Sequence, residues 1–578
     1  MPLMGSLYVG ASGLQTSQNA LNTTAHNLTN VDTKGYTRQQ VQQSDRRYVT
    51  LSKNEAAISY KQTGLGVVFS RAKQVRDYFL DKTYRKESGR SMFYQVSTDV
   101  MEEVEGQLGE MNGEAFQTTL ADFWTSVQEL AKDPTSSVTQ GLLVQRAAQI
   151  LNRADAVYEG LSSYQDNLNA QVKQQVDKIN KYGKEILTMN DQIRSIESGG
   201  VEHANDLRDS RNQLMDELAE LTNMTWEEDI MGNVAIQIEG VDFVKGSTCY
   251  EIQLNEDERT GFLTPFWPQN AVYTEDTQGR KIYNIDGAEV FDLSIEISAD
   301  LGTDVGGLKA MLLARGDHRA DYSDIDTDYS QVSQSVIMNI QSEFDQLIHN
   351  VVTKVNDVFA EAAGQKTGTL TLADGTVLNN AKYCDVKENG YLRNEDGSPI
   401  QLFTKISSDE YKKVTATNED GVTAEYWVYQ EEKADLKESL YSIKNLMIDT
   451  GLMQKPAKLG LRLENGAEDY ETAEKLKNIF TEEVYTLNPD VKKKTNFLEY
   501  YDDLVAQVSN SGYVYKSIYE NQVNTVEATF NAREQVIGVS SDEELANMIK
   551  FQNAYNASSR YINVISDMIE HLLNSLGA

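Results

Sequence analysis

Proline is nearly absent, with 7 in 578 residues, so the chain has no Pro-rich stalk or stiff linker. Cysteine is scarcer still. Cys249 and Cys384 lie far apart and neither belongs to a CxxC pair, which argues against a disulfide framework and excludes a thiol-rich zinc centre. The five histidines, His26, His203, His318, His349 and His571, are scattered without HxxxH or HxxE spacing, so no zinc site is expected. Positive charge is in deficit. The formal net charge is −35, and Lys492-Lys493-Lys494 is an isolated basic run. A duplex-binding protein needs basic patches that displace counterions, so no nucleic-acid partner is expected. No stretch approaches the roughly 18 consecutive apolar residues of a membrane span. The first residues, MPLMGSLYVGASGLQTSQNALN, lack the basic and apolar blocks of a secretory signal. The sequence therefore predicts either a cytosolic protein or one exported without a cleaved signal.

Catalytic motifs are missing too. There is no G-x-S-x-G, no P-loop and no GxGxxG opening a helix. The segment DIDTDYSQVSQS begins like a calcium loop, with Asp324, Asp326 and Asp328 at alternate positions. Its sixth position is Tyr329 where glycine is needed, and its twelfth is Ser335 where a bidentate glutamate is needed. It reads instead as a solvated linker into a helix from 331. No enzyme activity, cofactor or metal is expected.

What is present is periodicity. Leu7, Leu14, Leu21 and Leu28 recur every seven residues beside Gly10, Ser17, Thr24 and Val31, a leucine ridge flanking a small or polar groove that another helix can approach closely. The other end mirrors it. Ser541 and Glu544 fit a capping box. Met548, Tyr555, Ile562, Ile569 and Leu576 then repeat every seven, with Phe551, Ser558, Ile565 and Leu572 as the second seam. Two matched heptad patterns at opposite ends predict that the terminal helices pair and assemble.

Between them the period switches several times. Residues 70–225 read as long helices, and 226–300 alternate as strands, with a turn at Asp286-Gly287. Residues 331–363 return to helix. Residues 364–430 carry hairpin signals at Asp374-Gly375, Asn389-Gly390, Asp396-Gly397 and Asp420-Gly421. Helices resume after about 470. At roughly 100–200 residues per domain, the length allows about three to five domains. The expected fold is α+β and multidomain. Residues 1–50 with 541–578 form a terminal coiled coil. Residues 51–225 with 301–363 and 436–540 form a helical rod built from both chain halves. A β-rich segment at 226–300 and a β-rich hairpin insertion at 364–435 are inserted in the middle. Trp267 and Trp427 are aromatics in these β regions that either pack in hairpins or bind glycans.

The first helix should stop within TAHNLTNVDTKGYTRQQV (24–41). Asn27, Asn30 and Asp32 compete for backbone hydrogen bonds, and Gly35 takes a positive φ at low cost. Tyr36, Arg38 and Val41 alternate with polar residues, which suits an extended segment. Local chemistry explains the stop but not its purpose.

Asn27, Leu28, Asn30, Thr33, Gly35, Tyr36 and Arg38 together resemble the N-terminal signature of the bacterial flagellar axial proteins, N-[IL]-x-N-x-x-T-x-G-Y-x-R. Further stretches are similar to the hook-associated protein 1 family of hook–filament junction proteins: GLGVVFSRAKQVRDYFLDKTYR (64–85), residues 122–161, NDLRDSRNQLMDELAEL (205–221), and the C-terminal helix from 538 with its Phe551–Tyr555 core. The resemblance covers roughly 1–225 and 465–578. It implies a structural subunit exported through the flagellar type III apparatus to the cell exterior and polymerised through its terminal helices into a ring of copies. The implied partners are the hook protein, a second junction protein leading to flagellin, and a cytosolic export chaperone at the C-terminal region. The alternatives are another axial protein, such as hook or distal rod, or an exported adhesin or enzyme carried by the central β region.

Overall fold

The structure, a computed structural model, describes residues 3–46, 49–50, 62–109, 115–199, 203–275, 281–386, 392–463 and 465–577. Asn389-Gly390 and part of the segment assigned to the start of the rod lie outside them. The fold is α+β. It opens with helix α1 (Leu3–Thr29), which carries no charged residue other than His26 in its last turn. Strand β1 (Gln39–Asp45) follows. A short pair, β2 (Val49–Thr50) and β3 (Gln62–Thr63), lies beyond it. β4 (Val67–Gln74) returns antiparallel to β1, with a bulge where Gln42 faces Arg71 and Gln43 faces Phe69. The expected helix from residue 70 therefore starts later. Arg71 and Lys73 point outward and Ala72 and Gln74 inward, a period of two that suits a strand and not a helix.

Gly66 seats this ribbon on α1. Its φ is +89°, and an added Cβ would lie 2.1 Å from Ser12 Oγ and 3.2 Å from the Val9 backbone. Val67 N donates to Ser12 Oγ at 3.3 Å. Gly66→Ala combines a left-handed backbone with a clash, a strain of about 1–3 kcal/mol. Hydrogen exchange should show β1 and β4 amides losing protection while the helical cores keep theirs.

The rod follows. Helix α2 (Tyr78–Leu108) is capped by Asp77, whose side chain accepts from Phe79 N and Leu80 N. Then come α3 (Phe116–Lys132), α4 (Ser137–Glu197) and α5 (Asn205–Leu221). At 61 residues α4 is about 90 Å long and can serve two cores. Its first half, Leu143 to Leu168, packs with α2 and α3. Its second half, Val172 to Ile186, packs with α5 and the first sheet.

That sheet runs β5 (Met224–Glu228), β6 (Val234–Ile238), β7 (Val241–Lys245) and β8 (Thr248–Cys249) in sequence order. Two ribbons extend it, β9 (Gln253–Glu256) with β10 (Leu263–Phe266) and β11 (Val272–Glu275) with β12 (Lys281–Asn284). Trp226, Ile236, Ile238 and Phe243 share one core with Val176, Ile179 and Met215. The β segment thus begins at Met224 and is completed by helices, not by a core of its own. Trp267 is fully buried there, so it offers no exposed ring for a glycan.

Three helices come next: α6 (Gly307–Arg315), α7 (Tyr322–Val332) and α8 (Val336–Ala362). The expected linker at 324–328 is part of α7. Asp321 caps it by accepting from Ser323 N, and Asp324 completes a capping box by accepting from Asp321 N at 2.8 Å. Asp324 is spent on the helix end and on Lys437 and His318. Among the described residues no group could hold a metal ion.

The second β region closes into a small barrel in the order β13-β14-β17-β16: β13 (Lys366–Leu372), β14 (Val377–Asp385), β16 (Tyr411–Thr417) and β17 (Thr423–Tyr429). Its core is Leu370, Tyr383, Ala416, Tyr426 and Val428, with Trp427 half-buried on its wall. Asp374-Gly375 and Asp420-Gly421 turn the two hairpins, each glycine at positive φ. Asp396-Gly397 turns a single bridge between Arg393 and Pro399, not a strand pair. The strand β15 (Phe403–Lys405) leaves to pair with β18 (Leu446–Ile448). The chain from 430 to 496 is mostly irregular, with β18, short 3-10 turns and the short helices α9 (Thr450–Gln454) and α10 (Tyr470–Asn478) among its described residues. Its Tyr441, Leu459 and Phe480 join the same core as α3, α4 and α8. Finally α11 (Phe497–Ile537) lies along α2, and α12 (Ser541–Leu576) lies along α1. No helix among the described residues is long and apolar enough to cross a membrane.

Candidate assembly site at the chain termini

α1 and α12 run antiparallel. The face of α1 that comes closest to α12 is the small one. Ser6, Ser17, Ala20, Thr24 and Asn27 are buried, and Ser12 is buried against the ribbon. A Cβ on Gly10 would strike Ile562 Cγ1 at 2.7 Å, and one on Gly13 would strike Ser558 Oγ at 2.8 Å, so the backbones approach closely where glycine permits. Leu7, Leu14, Leu21 and Leu28 remain half-buried. On α12, Ile565 is buried, and Met548, Phe551, Tyr555, Ser558, Ile562 and Ile569 are half-buried. Leu572 is 45% exposed, past the end of α1's cover. The side chain of Leu576 lies outside the described residues. α12 also leaves Leu545 and Ile549 near its start, and Tyr561, Val564 and Met568 further along, exposed outside that contact. Two helices alone cannot enclose all of these side chains.

The signature turn explains why the first helix stops where it does. Asn27 ends α1 and is almost fully buried. Its Nδ2 donates to the Gln39 carbonyl at 2.8 Å and to Glu544 Oε2 at 3.1 Å. Its Oδ1 accepts from the Tyr36 hydroxyl at 2.8 Å and from Gln39 N at 3.1 Å. Successive reverse turns, Thr33 N to Asn30 O and Tyr36 N to Thr33 O, bring Tyr36 back over the helix end. Gly35 makes this possible at φ +81°. Thr33 Oγ1 bonds Asn30 Oδ1 at 3.1 Å and holds the turn. Arg38 then forks. Its Nε and NH2 meet Glu544 Oε1 at 3.0 and 2.9 Å, and its NH1 meets Glu543 at 2.8 Å.

The same turn is tied to the rod. Arg38 N donates to the Ile537 carbonyl at the end of α11, and Val75 N donates to the Arg38 carbonyl. Thr37 N donates to Asp209 Oδ2 of α5 at 3.1 Å, and Gln74 Nε2 to Asp209 Oδ1 at 2.8 Å. Burial pushes the Asp209 carboxyl up to about 6, and burial beside Asp209 raises the Tyr36 hydroxyl. Next to this knot, Arg85 of α2, Asp216 of α5 and Arg533 of α11 form a second bracket. Asp216 accepts from Arg85 Nε at 2.7 Å and from Arg533 NH1 at 2.8 Å. One short turn thus joins both chain ends to α5 and α11, and the bracket beside it ties these two helices to α2.

Glu544 and Asp209 were missed as partners of the signature. The sequence assigns Glu544 to a capping box with Ser541. In the structure Ser540 is the cap, accepting from Glu543 N, and Glu544, only 2% exposed, belongs to the knot. The available signal was the run Asp542-Glu543-Glu544. Three acids exceed what a helix N-terminus needs, and an unassigned Arg38 stood in the signature.

Comparison with known proteins agrees with this architecture. Residues 101–370 match the flagellar hook-associated protein FlgK helical domain, residues 7–37 the flagella basal body rod protein family, and residues 536–576 the flagellar basal body rod FlgEFG protein C-terminal family. The chain is similar to flagellar hook-associated protein 1 of Bacillus subtilis, 24% identical over 98% of this chain and 96% of that one. It is also similar to flagellar hook-associated protein 1 of Salmonella typhimurium, at 23% over 97% and 98%. The solved flagellar hook junction protein FlgK from Burkholderia pseudomallei aligns with a TM-score of 0.49 at 12% identity, covering 80% of this chain and 100% of that one. The terminal helices, the signature knot and the three family matches define a flagellar axial structural protein. Within that class, the relatives it is similar to over nearly its whole length are flagellar hook-associated proteins 1.

Proposed function

We propose that this chain is the structural subunit that joins hook to filament in the bacterial flagellum, forming a ring of copies on the distal end of the hook. The observation that carries this reading is the uncovered apolar surface of the terminal pair. Leu7, Leu14, Leu21 and Leu28 are half-buried, and Leu545, Ile549, Tyr561, Val564 and Met568 of α12 are exposed. Apolar side chains left uncovered in this number along two helices call for neighbours. The knot at Asn27, Tyr36, Arg38 and Glu544 holds the pair in a fixed relation to the rod. Copies in the ring cover one another's apolar side chains, the hook protein lies below, and a second junction protein above leads to flagellin. The chain reaches this place outside the cell through the flagellar type III apparatus, after a cytosolic chaperone has engaged its C-terminal region. Its role is scaffolding, with no catalytic step.

The test is the fate of flagellin in a strain lacking this chain. Bare hooks on the cells with abundant soluble flagellin in the medium are expected. Normal filaments would reject the assignment to the junction.

A further inference from the structure

Charge is distributed unevenly along this acidic chain. Residues 31–76 hold nine basic residues against three acidic ones, although the whole chain is at −35. In the β1–β4 ribbon, Arg71 and Lys73 are exposed and share the outer face opposite Gln42 and Gln40. Arg71 Nε bonds only a glutamine, Gln42 Oε1 at 2.9 Å. Neither residue has a carboxylate partner among the described residues. The ribbon therefore presents an unpaired basic outer face.

The complementary surface is on the far side of the knot. Glu520, Glu527 and Glu534 recur every seven residues on α11, close enough to the helical repeat to share a face. Glu520 and Glu527 are exposed and have no cation partner among the described residues. The cations nearest in sequence are already engaged, Lys516 with Glu102 at 3.2 Å and Arg533 with Asp216 at 2.8 Å. The two acids are about 10 Å apart along the helix, and Arg71 and Lys73 about 7 Å apart along the strand, a mismatch that long side chains absorb.

One copy cannot pair these surfaces within itself. The ribbon lies beside α1, with Val67 N on Ser12 Oγ. The acidic face lies along α11, which ends at the knot with Ile537 O on Arg38 N. Two copies side by side at one height leave the ribbon of one level with its neighbour's terminal pair and not with its α11 face. A copy shifted along the long axis brings the basic ribbon of one onto the α11 stripe of the next.

We propose that the basic β1–β4 ribbon of one copy docks on the Glu520–Glu527 face of α11 in an adjacent, axially staggered copy. This rests on the reading of the chain as a polymerising junction subunit. The uncovered apolar side chains supply adhesion, and the charged contact fixes the stagger, because it goes unmade in the level arrangement.

The experiment is a charge swap in the strain whose own copy has been deleted. The Arg71→Glu/Lys73→Glu variant and the Glu520→Lys/Glu527→Lys variant are each expressed alone, and then all four changes are combined in one chain. Each double variant should be exported, melt like the parent when purified, and leave cells with at least tenfold fewer filaments. The quadruple variant should restore most of them. Full filamentation with either double variant would overturn the proposal. So would a quadruple variant that melts like the parent and still fails, since that would place the ribbon against a different protein. If the deletion itself leaves filaments intact, the junction reading has failed and not merely this contact.

Discussion

Glu544→Ala is expected to strip filaments from cells while the rod of the purified protein melts as before. Three donors lose their acceptor at once: Asn27 Nδ2, Arg38 Nε and Arg38 NH2. Arg38 keeps Glu543, but that carboxylate is 61% exposed and screened by solvent. Asn27 is left buried with three of its four side-chain bonds and one N–H unpaired. Stranding partly buried donors, one of them charged, costs about 2–4 kcal/mol. The cost falls on the docking of the terminal pair, because the rod's cores draw on other residues. In the free subunit, a 27-residue helix and a 36-residue helix are held chiefly by each other and by this knot. A loss of that size is enough to let them fray. Hydrogen exchange should show 7–28 and 548–569 losing protection, with α2 and α4 unchanged. Glu544→Gln keeps an acceptor and should fall between. If Glu544→Ala cells carry normal filaments, the knot is not what presents the terminal pair for assembly.

The residues of this knot show how far the sequence could be read. Asn27, Gly35, Tyr36 and Arg38 stood out because each is an unusual choice at a helix end, and the turn they form follows from local chemistry. Their partners did not, because Glu544 and Asp209 lie 506 and 171 positions from Arg38 along the chain, and nothing local marks a long-range pair. The heptads correctly paired the two ends, since α1 lies along α12. Periodicity could not tell which face of α1 would be chosen. Glycine and serine let backbones approach, so the helices met on the groove and left the leucines half-free. The β modules were legible as strands from alternation and turn dipeptides. Barrel closure, and the sharing of the β5–β8 sheet's core with α4 and α5, depend on tertiary packing that a period of two does not encode. The strand at 67–74 was hidden for a simpler reason. Its apolar and polar residues suit either period over so short a run.

The largest solution effect should be on pH. Glu343 and Asp345 lie two positions apart on α8 and are fully buried in the rod. Glu343 accepts from Asn488 Nδ2 at 2.6 Å and Gln507 Nε2 at 3.0 Å, and both donors are neutral. Burial pushes its carboxyl up to about 7. Burial likewise pushes Asp345 up to about 8, against the backbone donors Tyr322 N and Ile443 N that favour its charged form. In an unfolded chain these groups titrate near ~4.3 and ~3.9. Folding therefore takes up protons between about pH 4 and 8, and stability falls as pH rises through that window. The stabilisation is present in full below the unfolded values and is lost above pH 8. His318, held between Asp317 and Asp324 and pushed up to about 9, acts in the same direction. It stabilises below its ordinary value and ceases to do so as pH passes 9. Opposing these, Asp317 and Asp324 are held below the usual carboxylate range by bonds to that imidazole, and their contribution is lost on acidification below about pH 4. The urea midpoint should therefore be highest between about pH 4 and 6 and should drop by pH 8, by an amount worth several kcal/mol. Glu343→Gln preserves shape and acceptor but removes one titration, so its midpoint should fall less over the same interval. A midpoint that is flat or rises to pH 8 would mean that water reaches these carboxyls. If the drop is found, it bears on the export proposed above, because unfolding the chain would then cost least at the alkaline end of the physiological range.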